Sequence, residues 1–294
     1  MTSQDHFIAI LLHLISHTEN DMFSNMTKTL VQIYEVQEPA EAEALIALGV
    51  DHIGSVLLSR DSWKVTSIRK TVRTIQRAGA KSGLIPLFSD PLTVFHALDY
   101  YQPDFVHFCE ALPIFPGNKE TPLREFDALI TLQVQVKDRF PQIEIMRSLS
   151  APQQGAGQEN EVLKNILSFT KLLAPFSDYF LIDTLIGNQG DKQVQPVEGY
   201  VGITGKVCDW NMAGAIINQS PIPVILAGGI SAENVFDAII KLQPAGVDSC
   251  TRTNAFNKEG KPIRFQKDLK KVKQMVEEAR RADATLVGTF KKVP

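Results

Sequence analysis

From about Leu30 onward, eight short runs of β-branched and apolar residues recur along the chain, each followed by a longer stretch with helical period. This alternation restricts the possible folds more than any other feature. Parallel strands need long crossover connections, and a helix is the usual crossover, so repeated strand–helix units build a parallel sheet. Strands are predicted at Leu30–Val36, His52–Leu57, Lys81–Leu87, Phe105–Cys109, Ile143–Ser148, Tyr179–Asp183, Val224–Ala227 and Val247–Cys250. Between them helices are predicted at Pro39–Leu48, Val65–Ala78, Pro91–Tyr100, Leu123–Lys137 and Ala232–Leu242, with Lys267–Ala282 as a closing outer helix. Pro39, the Asp90-Pro91 pair, and Ser231 with Glu233 and Asn234 suit helix starts, where backbone N–H groups lack partners.

Two architectures accept such a pattern. An open doubly wound sheet carries a glycine-rich phosphate turn after its first strand, whereas this chain has Tyr34-Glu35-Val36-Gln37 there, without glycine. Eight units are what closes a (β/α)8 TIM barrel, and such barrels run to about 250 residues as one unit. With 294 residues, 44% hydrophobic and 21% charged, the chain can fill one large core under a polar surface. The expectation is therefore an N-terminal helical extension over 1–28 and one barrel over 29–294. The Phe7–Ile15 stretch, interrupted by His13, is too short to span a bilayer. It has neither a basic lead nor a small-residue cleavage site, and reads as an amphipathic helix. With 30 Lys and Arg against 33 Asp and Glu, a net charge of -3 creates no strong field for nucleic acid or an anionic membrane. Cys109, Cys208 and Cys250 lack CxxC or Cys/His spacing, so no zinc site or disulfide framework is expected, and a cytoplasmic setting follows.

In a barrel of this kind the chemistry sits at the carboxyl ends of the strands. That directs attention to Tyr34, the 58–64 segment, His107 to Glu110, Arg147, Asp183, Gly202 to Gly205, Gly228, Gly229 and the segment from Cys250 to Asn254. His107 and Cys109 fall on one strand face, but no acidic orienter follows at a spacing suited to a Cys/His nucleophile, so core packing is expected. Cys208 lies at a helix entrance beside Asp209. Two stretches exceed a minimal barrel: Ala111–Pro122, and Thr184–Val201 with Gly187, Gly190 and Gly199. The second follows a strand on the active face and is expected to act as a closing lid.

The run Phe180-Leu181-Ile182-Asp183-Thr184 is followed by Gly202-Ile203-Thr204-Gly205-Lys206-Val207-Cys208-Asp209-Trp210. Next come Ala227-Gly228-Gly229-Ile230-Ser231-Ala232-Glu233-Asn234-Val235 and Pro244-Ala245-Gly246-Val247-Asp248-Ser249. In that order and spacing these motifs resemble strands six to eight of phosphoribosylanthranilate isomerases, with weaker similarity through Ala44–Gly54. The resemblance implies an Amadori rearrangement, which is an aldose–ketose isomerisation of a phosphoribosylated amine in tryptophan biosynthesis, with no metal and no cofactor. The ligand it implies is a small phosphorylated sugar conjugate. By position Asp183 is implied to be the general acid, and the loop of Gly202, Thr204 and Gly205 belongs to the substrate site.

Two departures stand against full activity. The family's base is a cysteine in a Lys-Ile-Cys-Gly pattern, but this chain has Gln32-Ile33-Tyr34-Glu35. A phenol of ordinary pKa about 10 is a poor replacement for a thiol. Glu35 is a better base chemically, although strand alternation points it outward unless the strand has ended before it. After strand two the family arginine that positions the anthranilate carboxylate is matched by the segment with Arg60, Trp63 and Lys64. Arg60 or Lys64 could supply the charge and Trp63 could stack on a ring, or the segment could simply cover the rim. The phosphate turn is better kept: Gly228 and Gly229 let backbone amides approach an anion ahead of a helix start, and Thr251 and Arg252 follow strand eight. Two readings stay open, an isomerase of this class and a barrel that binds a sugar phosphate or a protein without isomerising it. A third is another sugar-phosphate reaction that uses Asp183 with Tyr34 or Glu35.

Overall fold

The computed structural model describes residues 28–112, 121–153, 159–186 and 196–290. Eight parallel strands close on themselves in chain order: β1 (Leu30–Ile33), β2 (His52–Leu57), β3 (Lys81–Pro86), β4 (Phe105–Phe108), β5 (Glu144–Pro152), β6 (Tyr179–Leu185), β7 (Val224–Leu226) and β8 (Gly246–Ser249). This is the expected TIM barrel. Closure is made by β1 against β8, with Gln32 opposite Asp248 and Ile33 opposite Ser249.

Around the barrel lie α1 (Pro39–Ala47), α2 (Thr66–Arg77), α3 (Pro91–Tyr101), α4 (Thr121–Arg139), α5 (Glu159–Leu173), α6 (Trp210–Gln219), α7 (Val235–Leu242) and α8 (Leu269–Phe290). Local chemistry sets several of their starts. Asp90 accepts the Thr93 N–H at 3.0 Å to cap α3, and Asp209 accepts that of Met212 at 2.9 Å to cap α6. The helix expected from Ala232 begins three residues later, because Asn234 folds back to accept the Ser231 N–H at 2.9 Å and donates to the Gly229 carbonyl at 3.1 Å. α5 and α6 were not singled out in the sequence, and β5 and β6 run further than predicted. A two-stranded antiparallel hairpin, β9 (Asn254–Phe256) with β10 (Pro262–Lys267), fills the connection from β8 to α8, for which the sequence predicts no element.

Between barrel and helices a continuous apolar layer runs from Val31 and Ile33 to Val272 and Met275. The barrel interior holds Tyr34, Val56, Phe105, Met146, Leu181 and Ile225. Glycine makes room for the two large rings: a Cβ on Gly54 would sit 2.0 Å from the Tyr34 ring, and one on Gly83 would sit 2.4 Å from Phe105. Buried polar side chains also lie inside, among them Gln32, His52, His107 and Asp248. Among the described residues no helix is long and apolar enough to cross a membrane, and no cluster of three His, Cys, Asp or Glu side chains could hold a metal ion. The predicted N-terminal helix and much of both long loops lie outside the described residues.

Candidate active site

Tyr34 follows the last residue of β1 and turns its ring into the barrel. Its hydroxyl lies 2.9 Å from His107 Nδ1, and His107 Nε2 lies 2.8 Å from Ser148 Oγ. Burial, reinforced by the positive charge of Arg147, pushes His107 down to about 3, so the imidazole is neutral. Burial pushes the Tyr34 phenol well above its ordinary value, and the negative charge of Asp248 adds to this. A protonated hydroxyl already committed to an imidazole is not a base at neutral pH. The expected base position therefore holds no base in Tyr34.

Glu35 does not point outward. β1 ends at Ile33, and Glu35 adopts a left-handed backbone with φ 61°, at the position where the related pattern has glycine. That conformation costs a non-glycine residue about 1–2 kcal/mol. The turn buries the carboxylate to 1% exposure, where Arg264 of β10 donates to Oε1 from Nε at 2.7 Å and completes an ion pair. The hairpin thus supplies a partner that the sequence spacing of 229 residues conceals.

Asp183 lies on β6 under the loop of Gly202 to Gly205. Its Oδ1 accepts the Thr184 N–H at 2.7 Å, and the Gly228 amide also donates to the carboxylate. Burial nevertheless raises its pKa to about 6. A Cβ on Gly202, whose φ is 112°, would come within 2.5 Å of Asp183 Oδ2, so only glycine lets the loop lie directly on the acid. Ile203 and Gly205 are left-handed too, at φ 61° each, and a β-branched residue in that region marks a loop held under strain.

A second carboxyl, which the sequence analysis quoted in a motif without giving it a role, faces the same space. Asp248 on β8 accepts from Gln32 Nε2 at 3.1 Å, and Gln32 Oε1 lies 3.2 Å from His52 Nδ1. Burial and then the charge of Asp183 push Asp248 up to about 8, while burial lowers His52 to about 4. The usable signal was the acidic residue inside an otherwise apolar strand.

Asp183 and Asp248 both line two adjoining cavities. The mouth cavity is also walled by Tyr34, Glu35, His107, Cys109 and Tyr200. His107 and Cys109, expected in the core, are buried but reach this wall. Burial pushes both the Cys109 and Cys250 thiols above the ordinary range, and Cys208 up to about 12, so none is a ready thiolate. The smaller cavity is bounded by Thr204, Gly205, Gly228, Gly229, Thr251 and Arg252. Here the Thr251 hydroxyl is buried without a hydrogen-bond partner, and Arg252 donates to the Gly205 carbonyl at 2.9 Å from Nε. Gly228 and Gly229, at φ 73° and 66°, form the turn between β7 and the Ser231 bend.

The 58–64 segment is placed elsewhere. Residues Arg60 to Ser62 form a 3-10 turn, and Arg60 is 62% exposed beside Asp61. Trp63 packs edge-on to Tyr100 and Tyr101, Lys64 lies 4.9 Å over the Tyr100 ring, and the Tyr101 hydroxyl donates to the Trp63 carbonyl at 2.7 Å. These contacts tie the segment to α3, and neither cavity is lined by Arg60, Trp63 or Lys64. Of the loop expected to form a lid, the described end crosses the mouth: Val201 N–H donates to the Cys109 carbonyl at 2.8 Å, and Tyr200 pairs with Glu110.

The family model for N-(5'-phosphoribosyl)anthranilate isomerase matches residues 177–278. An enzyme of that name from Methanosarcina acetivorans is 27% identical over 265 residues, covering 86% of this chain and 94% of the relative. N-(5'-phosphoribosyl)anthranilate isomerase 1 of Methanosarcina mazei is 28% identical over 185 residues, covering 59% and 72%. The solved phosphoribosylanthranilate isomerase of Thermotoga maritima superposes with a TM-score of 0.59 at 17% identity, covering 86% of this chain and 99% of its own, which shows the fold. The matched segment contains Asp183, the glycine turn after β7 and Asp248 together, and over most of its length this chain is similar to phosphoribosylanthranilate isomerases in sequence and fold.

Proposed function

We propose that the protein binds a phosphoribosylated aromatic amine across the two cavities and isomerises it by the Amadori route of its relatives' name, as in tryptophan biosynthesis. The observation that carries this reading is the junction of the two cavities. A half-buried carboxyl, Asp183, stands at the meeting point, and on one side lies a glycine-walled recess with an unpartnered Thr251 hydroxyl. A buried hydroxyl without a partner is costly unless a ligand supplies one. The two left-handed glycines and Arg252 suit a phosphate, which takes backbone N–H groups and charge-assisted bonds. In this reading the sugar and the aromatic group lie along the mouth cavity, between Tyr34, Leu181 and Tyr200.

Asp183 is the acid–base residue of this reading. With its pKa near 6 it is mostly ionised at neutral pH, which is a better state for accepting a proton than for donating one. Tyr34 does not replace the family thiol, and Glu35 is engaged with Arg264. That observation favours a second reading, binding without turnover.

Calorimetric titration should use reduced 1-(o-carboxyphenylamino)-1-deoxyribulose 5-phosphate, the ligand in a solved phosphoribosylanthranilate isomerase that is 16% identical to this chain. Binding that weakens strongly in Gly229→Asp, with an unchanged circular dichroism spectrum, supports the site. Turnover of phosphoribosylanthranilate, followed by fluorescence, separates the two readings. No binding by the unaltered protein would remove both.

A further inference from the structure

We propose that Asp248 is the second catalytic acid–base residue of this site, giving a proton to the ribose ring oxygen while Asp183 takes one from the neighbouring carbon. This rests on the isomerase reading. The barrel's closure puts β8 beside β1, and Gln32 of β1 faces Asp248 in register and holds its Oδ1 at 3.1 Å. Asp248 therefore opens into the space that a base at the end of β1 would serve. It lines both cavities together with Asp183, so a ligand that spans them touches both carboxyls.

The surroundings suit a carboxyl that holds its proton. The charged and titratable groups facing Asp248 are Asp183 from β6, Tyr34 just beyond β1, Cys250 just beyond β8 and Lys267 from β10. Lys267 Nζ is spent on the Cys250 carbonyl, at 3.0 Å, and on Asn254. Gln32 is a neutral amide, so it orients Asp248 without fixing it as an anion. Burial and Asp183 raise Asp248 to about 8, against about 6 for Asp183. Two carboxyls driven apart in this way divide into donor and acceptor near neutral pH.

The proton count closes. Protonated Asp248 gives its proton to the ring oxygen as the C1–O bond breaks, and the amine lone pair forms a C1=N iminium. Ionised Asp183 takes the C2 proton, the C–H pair forms C1=C2, and the iminium pair returns to nitrogen. Asp183 then delivers its proton to C1 while the C2 hydroxyl returns one to Asp248, leaving a ketone and both carboxyls as they began. The sequence is redox-neutral and uses no other reactant.

The test compares the full chain with Asp248→Asn and Gln32→Lys in phosphoribosylanthranilate turnover from pH 5 to 10, together with calorimetric affinity for the reduced analogue. Asn is isosteric with a protonated carboxyl and keeps the acceptor for Gln32. It should bind the analogue within about threefold of the original while kcat falls roughly 10²–10⁴-fold. The unaltered protein should lose kcat/KM above about pH 8. Gln32→Lys sets a cation against Asp248 and should move that alkaline limb down by a unit or more, which a purely structural Asp248 would not do. Should Asp248→Asn not fold, Gln32→Lys decides alone, and an unmoved limb overturns the proposal. Turnover in Asp248→Asn within about fivefold of the original also overturns it and leaves the isomerase reading intact. Analogue binding with no turnover by the unaltered protein overturns that reading and this inference with it.

Discussion

Gly229→Ala tests how the glycine turn after β7 is built, with Gly79→Ala as its reference. Both glycines are left-handed, at φ 66° and 80°, so both alanines incur the conformational cost of that region, about 1–2 kcal/mol. Both also stiffen the unfolded chain alike. They differ in surroundings: a Cβ on Gly79 meets nothing within 4 Å. On Gly229 it would lie 2.7 Å from the Lys206 carbonyl carbon, 2.8 Å from the Val207 nitrogen and 2.9 Å from the Lys206 oxygen. These are backbone atoms, and the Lys206 carbonyl is pinned by the Thr184 hydroxyl at 2.6 Å, so the neighbour cannot rotate away. Overpacking of this kind adds about 1–3 kcal/mol. For a chain of this size that lowers Tm by roughly 2–4 °C per kcal/mol, so Gly229→Ala should melt about 2–12 °C below Gly79→Ala. Relief of the clash moves the 204–207 segment, which walls the smaller cavity through Thr204 and Gly205. Analogue affinity should therefore fall at least about tenfold in Gly229→Ala and stay unchanged in Gly79→Ala, as read by scanning and titration calorimetry. Equal melting temperatures with equal affinities would refute the close-approach argument.

Tyr34→Phe removes the hydroxyl bound to His107 and should cost about 1–2 kcal/mol of stability in denaturant titration, while kcat changes less than about tenfold. A loss beyond a hundredfold would return a proton-transfer role to Tyr34. Asp248 has a folded pKa of about 8 against about 4 unfolded, so the folded state holds a proton that the unfolded state releases first. Its contribution to stability is complete below about pH 4 and is lost as pH rises toward 8. Asp248→Asn escapes that loss, and its stability relative to the original should rise by a few kcal/mol between pH 4 and 9. A difference that stays constant with pH would show that Asp248 is not buried in its neutral form.

The barrel was legible because each of its parts is written locally. His52–Leu57 and Lys81–Pro86 are compact apolar runs, Asp90-Pro91 and Asp209 carry their own caps, and eight such units leave few ways to bury a parallel sheet. Asp183 and the two glycines after β7 were legible for the same reason, since each lies within a short motif. What only the tertiary structure decided is which residues meet across strands. Glu35 turns inward by the exception the strand pattern left open: β1 ends at Ile33, and a left-handed turn, held by Arg264 more than two hundred residues away, buries it. Trp63 and Lys64 left the mouth because the Tyr100 and Tyr101 rings of α3 offered aromatic faces and a hydroxyl that no spacing announces. Asp248 and Gln32 become partners only when β8 closes on β1. Their separation along the chain carries no signal of the hydrogen bond, the shared burial or the raised carboxyl pKa that follow from it, because desolvation is a property of the packed interior rather than of any segment.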